Sequence, residues 1–420
     1  APASAAAAAA AAVAKPVLPI GAEVRSIVVL GAAADAAPVV HGLGSGLVAP
    51  PYVVSPLAGL RARNARQLRP AIITYAVGDY TVAMHCSPMP CSSPMPAPSL
   101  QPCASSLQPC ASRYAVGDTR AGIETATALA AKADLAIVVV GDASAEGKDR
   151  PSLALSGTQD ALVAAVAAAQ PRTVVAVAAP GPVLMPWADA AAAVLVNWLA
   201  GQEAGHALAD VLYGDVDPSG RLPHTMPNRD NETRMSTAQY PGVHDARGRL
   251  VSTYTEGPLI GYKWYDAHGV APRFPFGHGL SFATFGYSAR VPIVRGTAAL
   301  GAGVDVAFVL TNLGARDGTA VAQCYVSFPP HAAQPPRQLR AWSRLDVRAG
   351  AAVHVALHLA PRDLAIWSVV AHGWRPVAGR FEVACGPSSR ELPLSAPLEV
   401  EAAPAAFKPG VVEGAVQHLV

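Results

Sequence analysis

Three uninterrupted apolar runs constrain the fold of this chain more than any other feature of its sequence. They span residues 134–141, 173–178 and 193–198, and between their end residues they contain almost only Val, Ile, Leu and Ala. Each run has the length of a β-strand rather than of a helix. A strand that is apolar on both faces has to be covered on both, which is typical of a mostly parallel sheet between layers of helices.

Segments with helical character alternate with these strands, and the alternation predicts a mostly parallel α/β/α sandwich over residues 21–230. Residues 80–112 interrupt the pattern, because Ser-Pro-Met-Pro and Ser-Leu-Gln-Pro-Cys-Ala each occur twice there. Tandem copies of this kind indicate an insertion into an otherwise continuous fold. Their prolines remove backbone donors, so we expect a solvent-exposed, disordered loop.

The hydrophobic period changes to two in the last third of the chain. Short alternating strands, separated by turns at nearly regular intervals, predict an antiparallel β-sandwich of the immunoglobulin or fibronectin III kind over residues 286–400. Residues 231–285 are rich in Gly, Pro and aromatic residues and predict an extended connector. Residues 1–20 resemble an Ala-rich linker remnant, and residues 401–420 a loose tail. The predicted fold class is thus α/β followed by all-β.

Composition excludes several classes of protein. The chain has 420 residues, of which 51% are hydrophobic and 14% charged, so global disorder is excluded. Its net charge is only +2, whereas a nucleic-acid-binding protein needs a strongly basic patch or tail, so we expect no nucleic-acid binding. No run of eighteen strongly apolar residues is present, so we expect no membrane span. The Ala-rich start lacks the features of a signal peptide, and the localisation stays unknown.

The cysteines and histidines do not predict a metal site. Four cysteines within the insertion lack the spacing of zinc-binding pairs, and His354 and His358 lie on one face of a strand without a third ligand. Cys324 and Cys385 could form a disulfide bridge or remain buried free thiols, and the sequence favours neither. The four cysteines of the insertion are Cys86, Cys91, Cys103 and Cys110.

The loop after the 134–141 strand is the first candidate site. It reads Asp-Ala-Ser-Ala-Glu-Gly-Lys-Asp-Arg from Asp142 to Arg150, and it lies at the carboxyl end of a parallel strand, where open α/β sheets bind ligands. Its composition alone favours an ordinary solvated polar loop. The glycine-rich segment 42–46 also follows a strand. Its glycines match neither the GxGxxG nor the GxxxxGK(S/T) spacing of phosphate-binding loops, so we interpret the segment as a tight turn. Ser45 and Ser156 both lack the spacing of a serine-hydrolase elbow.

Aromatic residues of the connector form a second candidate site. They could stack against sugar rings, but the sequence favours packing of an irregular connector between two domains, and the two uses are compatible. These residues are Tyr262, Trp264, Tyr265, Phe274, Phe276 and Phe282.

Five motifs in order resemble family-three glycoside hydrolases, the β-glucosidase and β-xylosidase group. Glu146-Gly-Lys-Asp-Arg150 resembles the family's EGxDR loop, and residues 181–187 its GPVxMPW turn. Trp198 with residues 201–205, and then residues 209–223, are similar to its W.PGQEGG…ADVLFGD.NPSGKLP signature. Residues 256–282 contain Glu-Gly, Gly-Tyr-Lys-Trp-Tyr-Asp and Phe-Pro-Phe-Gly-His-Gly-Leu-Ser-Phe, similar to its linker motif. The last domain resembles the fibronectin-III-like domain of many members.

The resemblance implies a retaining glycosidase mechanism. In that mechanism one carboxylate attacks the anomeric carbon, while a second carboxyl group protonates the leaving oxygen and then activates water. Glu146 matches the acid/base glutamate of many members. Asp149 and Arg150 match the Asp-Arg pair of the same motif, and we expect these two residues to order the loop. The expected ligand is a β-glycoside or oligosaccharide. Because two carboxyl groups and water suffice for the reaction, we expect no metal and no organic cofactor.

The family's nucleophilic aspartate lies in an N-terminal (β/α)₈ barrel, which has no counterpart in this sequence. The resemblance therefore implies that the chain supplies only the acid/base, that a barrel completes the enzyme, and that the chain alone is inactive. The alternative is a non-catalytic module that binds a carbohydrate or a partner. Neither interpretation involves nucleic acid or membrane.

Overall fold

The computed structural model describes residues 16–78, 119–289, 293–294 and 297–401. These residues form two compact units, one that ends at residue 216 but includes 226–232, and one made of 217–225 and the residues from 233 onward. The first fifteen residues, the predicted insertion at 80–112 with its four cysteines, and the tail after 401 lie outside the described residues. None of the helices in the described ranges is both long and apolar enough to cross a membrane.

The first unit is built around a five-stranded sheet in the order β2-β1-β3-β4-β5, with every neighbouring pair parallel. The predicted α/β fold is therefore confirmed, and each strand predicted in this region is present within two residues of its predicted ends. The elements, in chain order, are β1 (Ser26–Leu30), α1 (Pro56–Asn64), β2 (Ile72–Ala76), α2 (Thr119–Ala130), β3 (Leu135–Gly141), α3 (Gln159–Ala169), β4 (Thr173–Ala178), β5 (Ala193–Val196) and α4 (Ala204–Tyr213).

Helices cover both faces of this sheet, as the apolar strands require. All seven residues of β3 and all six of β4 are buried, so neither of their faces meets water. Helices α1 and α4 pack against each other on one face, where their leucines join Ile27, Ile137 and Val174 in one core. Helices α2 and α3 pack together on the other face. Burial of complete strands by two helical layers is the physical origin of the continuous apolar runs.

Local signals in the sequence set the helix ends. The Ser55 side chain accepts a hydrogen bond of 3.1 Å from the backbone N–H of Ala58 and so caps α1, and Pro56 occupies the first turn. Gly214 adopts φ +75° directly after α4, the left-handed conformation with which glycine commonly ends a helix. A Cβ on Gly59 would lie 2.1 Å from the carbonyl oxygen of Gly205, so glycine is needed where α1 and α4 approach each other.

The second unit is a β-sandwich with additional short elements before it. One sheet has the order β12-β11-β16-β17-β9 and the other the order β13-β10-β8, which confirms the predicted all-β fold. The elements are β6 (Val243–His244), β7 (Leu250–Val251), α5 (Tyr262–Ala267), β8 (Phe285–Ser288), β9 (Thr297–Ala299), β10 (Val304–Asn312), β11 (Gly318–Ser327), β12 (Gln338–Val347), β13 (Ala352–Leu359), β14 (Ala365–Ser368), β15 (Gly373–Pro376), β16 (Gly379–Gly386) and β17 (Leu394–Glu401).

Alternating burial along the strands forms the core of the sandwich. In β10 the residues from Val304 to Asn312 alternate between buried and less buried positions, and β13 and β17 follow the same period. Pairing in this unit is antiparallel except for β17 with β9, which run parallel. The aromatic segment from residue 233 belongs to the same unit as these strands, and it contains the helix α5 and a short hairpin as well as irregular chain.

Cys324 and Cys385 form a disulfide in this unit. They lie directly opposite each other on the antiparallel strands β11 and β16, and both are completely buried. Of the two possibilities that the sequence leaves open, the structure contains the bridge.

Candidate active site

Two loops meet at the carboxyl edge of the parallel sheet. The loop that follows β3 runs from Asp142, and the segment 42–46 comes from the chain that leaves the adjacent strand β1. Leu43 and Ala145 form an isolated parallel bridge, and the Leu43 N–H donates a hydrogen bond of 3.0 Å to the Ser144 carbonyl. The two loops are thus joined by backbone hydrogen bonds at the edge where α/β sheets place their ligands.

Glu146 follows this bridge directly and extends into solvent. Its own N–H donates a long hydrogen bond of 3.4 Å to the Leu43 carbonyl, which continues the pairing of the two loops. Its carboxylate accepts a hydrogen bond of 2.9 Å from the backbone N–H of Ser45. The side chain is exposed, and Gly147 adopts φ +71° directly after it. A fixed backbone with an exposed carboxylate suits a group that exchanges protons with a ligand.

Gly44 permits the close approach of the two loops. Its φ of +74° lies in the left-handed region, and a Cβ at this position would lie 2.5 Å from the Cβ of Glu146. Any other residue would combine backbone strain with a clash. The glycine-rich segment 42–46 forms a turn, as predicted, with a 3₁₀ helix at Gly44–Gly46, and this turn also contacts the candidate acid/base.

The hydrogen bonds from Ser45 lower the pKa of Glu146 below that of an ordinary glutamate, because they stabilise the charged carboxylate. Burial raises it only slightly, since the group is exposed. Glu146 is therefore ionised at neutral pH in this structure. In that state it can accept a proton or activate water, but it cannot donate a proton to a leaving group.

Asp142 is the carboxylate at the start of the same loop, and it is turned towards the protein. It lies 3.8 Å from the Arg150 guanidinium and accepts a hydrogen bond of 3.3 Å from the Ser156 hydroxyl. Burial raises the pKa of Asp142, and the positive charge of Arg150 opposes that rise without cancelling it. Arg150 also donates a hydrogen bond of 2.6 Å to the Pro182 carbonyl. It thereby joins the candidate loop to the 181–187 turn.

Asp149, the other residue for which we expect a loop-ordering role, is exposed within the same loop. Its role in ordering the loop stays a prediction.

The far end of the loop is anchored by Gln159, the first residue of α3. Its buried amide accepts a hydrogen bond of 2.8 Å from the Gly141 N–H and donates to the carbonyl oxygens of Gly141 and Ser156. Next to it, the Asp160 carboxylate accepts a hydrogen bond of 2.7 Å from the indole N–H of Trp187. Both ends of the candidate loop are therefore tied to the sheet and its helix.

The aromatic candidate site is packed rather than open. Tyr262 stacks on Phe276 with ring centroids 4.7 Å apart, and it meets the buried Tyr325 edge to face. Its hydroxyl accepts a hydrogen bond of 2.9 Å from the Leu339 N–H of the sandwich. All six aromatic residues singled out from the sequence are buried or half-buried. Packing of the segment within its own unit accounts for them.

Residues that could bind a metal ion are not gathered in the described parts of the chain, where no group of three or more His, Cys, Asp or Glu has suitable geometry. His354 and His358 are exposed on β13, as the strand pattern predicts, and His358 lies 2.7 Å from Asp305.

Sequence reasoning assigned neither Ser45 nor Gln159 a role in the site. Ser45 lies 101 residues before Glu146, so no local pattern in the sequence connects the two residues. One signal was available: the carboxyl ends of parallel strands meet at one edge, so a glycine-rich loop after β1 belongs beside the loop after β3.

Comparison with known proteins identifies the two parts of the chain. A family model described as the glycosyl hydrolase family 3 C-terminal domain matches residues 14–282, and a fibronectin type III-like domain model matches residues 320–389. Among solved structures, the β-glucosidase DesR from Streptomyces venezuelae, in complex with D-glucose, is similar with a TM-score of 0.77 and 29% sequence identity. The match covers 92% of this chain and 57% of that one.

Two curated relatives are similar in sequence. A β-glucosidase from Rhizobium radiobacter is 38% identical over 284 residues, which are 67% of this chain and 34% of that protein. A probable β-glucosidase D from Aspergillus flavus is 32% identical over 378 residues, 84% of this chain and 45% of that protein. The chain thus spans between a third and a half of the length of these relatives. It belongs to glycosyl hydrolase family 3, of which it carries the C-terminal domain together with a fibronectin type III-like domain.

Proposed function

We propose that this chain contributes the general acid/base, Glu146, to a retaining β-glucosidase that hydrolyses terminal β-linked sugars. The observation that carries the proposal is the position of Glu146: an exposed carboxylate at the carboxyl edge of the sheet, oriented by the Ser45 N–H at 2.9 Å. Its loop matches the acid/base motif of the family to which the chain belongs. The relatives named as β-glucosidases support the substrate class.

The reaction needs two carboxyl groups about 5–5.5 Å apart. The nucleophilic carboxylate attacks the anomeric carbon and forms a glycosyl–enzyme bond, while Glu146 gives its proton to the departing glycosidic oxygen. Glu146 then removes a proton from the water that attacks the anomeric carbon, and the bond to the nucleophile breaks. Glu146 is protonated again at the end of the cycle, so it acts once as an acid and once as a base.

We place the nucleophile outside residues 1–420, in a (β/α)₈ barrel of the kind that the family carries. Within the described residues, no neighbouring carboxylate contributes to the pKa of Glu146, which is lowered rather than raised. Asp142 faces Arg150 and Ser156 and is unsuited to attack a sugar. A carboxylate brought within about 5 Å would raise the pKa of Glu146 by repulsion, as an acid that works near neutral pH requires.

The proposal gives Asp149 and Arg150 an ordering role. Arg150 joins the loop to the Pro182 carbonyl and to Asp142, so its loss would loosen the backbone that presents Glu146. We expect Asp149 to act through the loop in the same way and to make no contact with the reacting atoms.

Two assays test this function. The 420-residue chain should release no p-nitrophenol from p-nitrophenyl β-glucoside above the buffer rate. A fusion of the chain behind the N-terminal part of the Rhizobium radiobacter β-glucosidase should hydrolyse cellobiose. Glu146→Gln in that fusion should lower kcat for cellobiose by roughly 10²–10⁴-fold, because the leaving group needs a proton. Lys148→Gln, an exposed neighbour in the same loop, is the matched control.

Turnover by the isolated chain that Glu146→Gln abolishes would contradict the division of the active site between two domains. An active fusion that is indifferent to Glu146→Gln would contradict the assignment of the acid/base. The aryl glucoside adds a discriminating readout, since its good leaving group needs little protonation and should be affected less than cellobiose.

A further inference from the structure

The hairpin of β14 and β15, a separate two-stranded sheet of the sandwich unit, presents an exposed apolar surface. Trp367 is 52% exposed and Trp374 is 41% exposed, and Val369 and Val370 between the strands are 74% and 95% exposed. Large apolar side chains this exposed forgo the free energy of burial, and a cluster of them commonly marks a binding surface. We call these four residues the hairpin patch.

The two indole rings are fixed by their surroundings. Trp367 and Trp374 are direct cross-strand partners, and their rings meet edge to face with centroids 5.8 Å apart. The guanidinium of Arg362 lies over the Trp374 ring, 4.4 Å from its centroid. Such a cation–π contact covers part of one face of Trp374 and limits its rotation. The aromatic pair is thus ordered before any ligand arrives, which lowers the entropy cost of binding.

The base of the hairpin is anchored in the core. Leu364 and Val377, which flank the two strands, are buried, and the Val377 N–H donates a hydrogen bond of 3.1 Å to the Leu364 carbonyl. The turn that carries Arg362 is closed by a hydrogen bond of 2.8 Å from the Ala360 N–H to the Asp363 carboxylate. The exposure of the patch is therefore a property of the folded unit and does not arise from a frayed end.

We propose that the hairpin patch binds a glucan chain, separately from the loop that carries Glu146. A pyranose ring has a face of C–H groups, which are attracted to the electron-rich face of an indole, and an edge of hydroxyl groups. Arg362 adds guanidinium donors beside the rings for those hydroxyls. This inference does not depend on the role of Glu146, although membership of a glycoside hydrolase family makes a glycan the relevant class of ligand.

The size of the patch also favours a glycan over a protein. The two half-exposed tryptophans offer together roughly 200 Å², since an aromatic side chain buries about 150–250 Å² when fully covered, and the two exposed valines add a comparable area, so the whole patch offers roughly 400 Å². A stable protein–protein interface needs about 800 Å² from each partner. The patch is large enough to cover one or two sugar rings but too small, by itself, to hold a second copy of the chain.

Isothermal titration of the 420-residue chain with cellohexaose and with laminarihexaose tests the proposal, and quenching of tryptophan fluorescence provides a second readout. At least one hexasaccharide should bind, and Trp367→Ala and Trp374→Ala should each weaken that binding tenfold or more. Trp342→Ala is the matched control, because Trp342 is 63% exposed but lies on β12, in a different sheet. All three variants should keep the Tm of the parent chain, and Trp367→Phe should restore part of the affinity.

Three outcomes would overturn the inference. One is the absence of binding by either hexasaccharide at millimolar concentration. Another is binding that persists in both tryptophan variants but disappears in Glu146→Gln, which would locate the sugar at the catalytic loop and leave the proposed function intact. The third is a dimer, or adhesion to phosphatidylcholine vesicles, that Trp367→Ala abolishes while hexasaccharide binding is unchanged.

Discussion

The backbone N–H of Ser45 donates a hydrogen bond of 2.9 Å to the carboxylate of Glu146, across 101 residues of sequence. This contact joins the glycine-rich turn after β1 to the loop after β3. The contact orients the carboxylate. Hydrogen bonds from Ser45, first from its side chain and then from this N–H, lower the pKa of Glu146 by stabilising the charged form. The turn therefore controls both the position and the proton affinity of the group that we propose as the acid/base.

Gly44→Ala should raise the pKa of Glu146 towards its ordinary value. The new Cβ would lie 2.5 Å from the Cβ of Glu146 and would impose strain at φ +74°, so the two loops must separate and the Ser45 hydrogen bond is lost. A carbon-detected NMR titration of the Glu146 carboxyl measures the change. Gly46→Ala is the control, since nothing lies within 4 Å of its added Cβ. An unchanged titration in Gly44→Ala would show that Ser45 does not set this pKa.

Arg150→Gln should raise the pKa of Asp142 further above its ordinary value. Burial already raises the pKa of the Asp142 carboxyl, and the positive charge of Arg150 opposes that rise. Removal of Arg150 takes away the charge that stabilises the ionised carboxylate, so the pKa rises further. With a raised pKa the folded state binds the proton more tightly than the unfolded state, and stability falls as pH rises between the two pKa values.

Arg150→Gln should therefore lower the free energy of unfolding, compared with the parent chain, by more at about pH 7 than at about pH 4. Urea denaturation at the two pH values measures this difference. Loss of the hydrogen bond to Pro182 affects both values alike. Lys148→Gln should have no such pH dependence, and equal losses at both pH values in Arg150→Gln would refute the argument.

Gln159→Leu should destabilise the first unit by about 1–3 kcal/mol for each buried group left without a partner. The substitution removes the acceptor for the Gly141 N–H and the donor for the Gly141 and Ser156 carbonyls. Urea denaturation gives the loss, and faster amide exchange at Gly141 should accompany it. Ala164→Leu, on the exposed side of the same helix, controls for the added apolar surface. If Gln159→Leu were as stable as the parent chain, the prediction would be wrong, and water would have to bind the backbone groups that the amide binds in the parent.

Reduction of the Cys324–Cys385 disulfide should destabilise the sandwich unit by about 4 kcal/mol. The two residues are 61 apart, and the cost of closing a loop of that length in the unfolded chain gives this figure. Urea denaturation with and without reductant measures the change, and the Cys324→Ala/Cys385→Ala variant should be insensitive to reductant. Peptide mapping that recovers both cysteines as free thiols would contradict the prediction.

The order of the elements could be predicted because it is encoded locally. The apolar runs of β3 and β4 predict a sheet buried on both faces, and the alternation of β10 and β13 predicts a sandwich with one buried face on each strand. The helix α5 was not predicted, since its six residues are too few to establish a period. Strand β9 was missed for a different reason, because it is three residues long and its partner β17 lies far along the chain.

The family motifs, the strand periods and the helix caps are properties of neighbouring residues, so the fold class and the candidate Glu146 could be predicted without coordinates. Contacts between distant residues are not written into any local pattern, because they depend on how strands are ordered in the sheets. The packing of the folded chain places the Ser45 N–H beside Glu146, turns Asp142 towards Arg150, and brings Cys324 opposite Cys385.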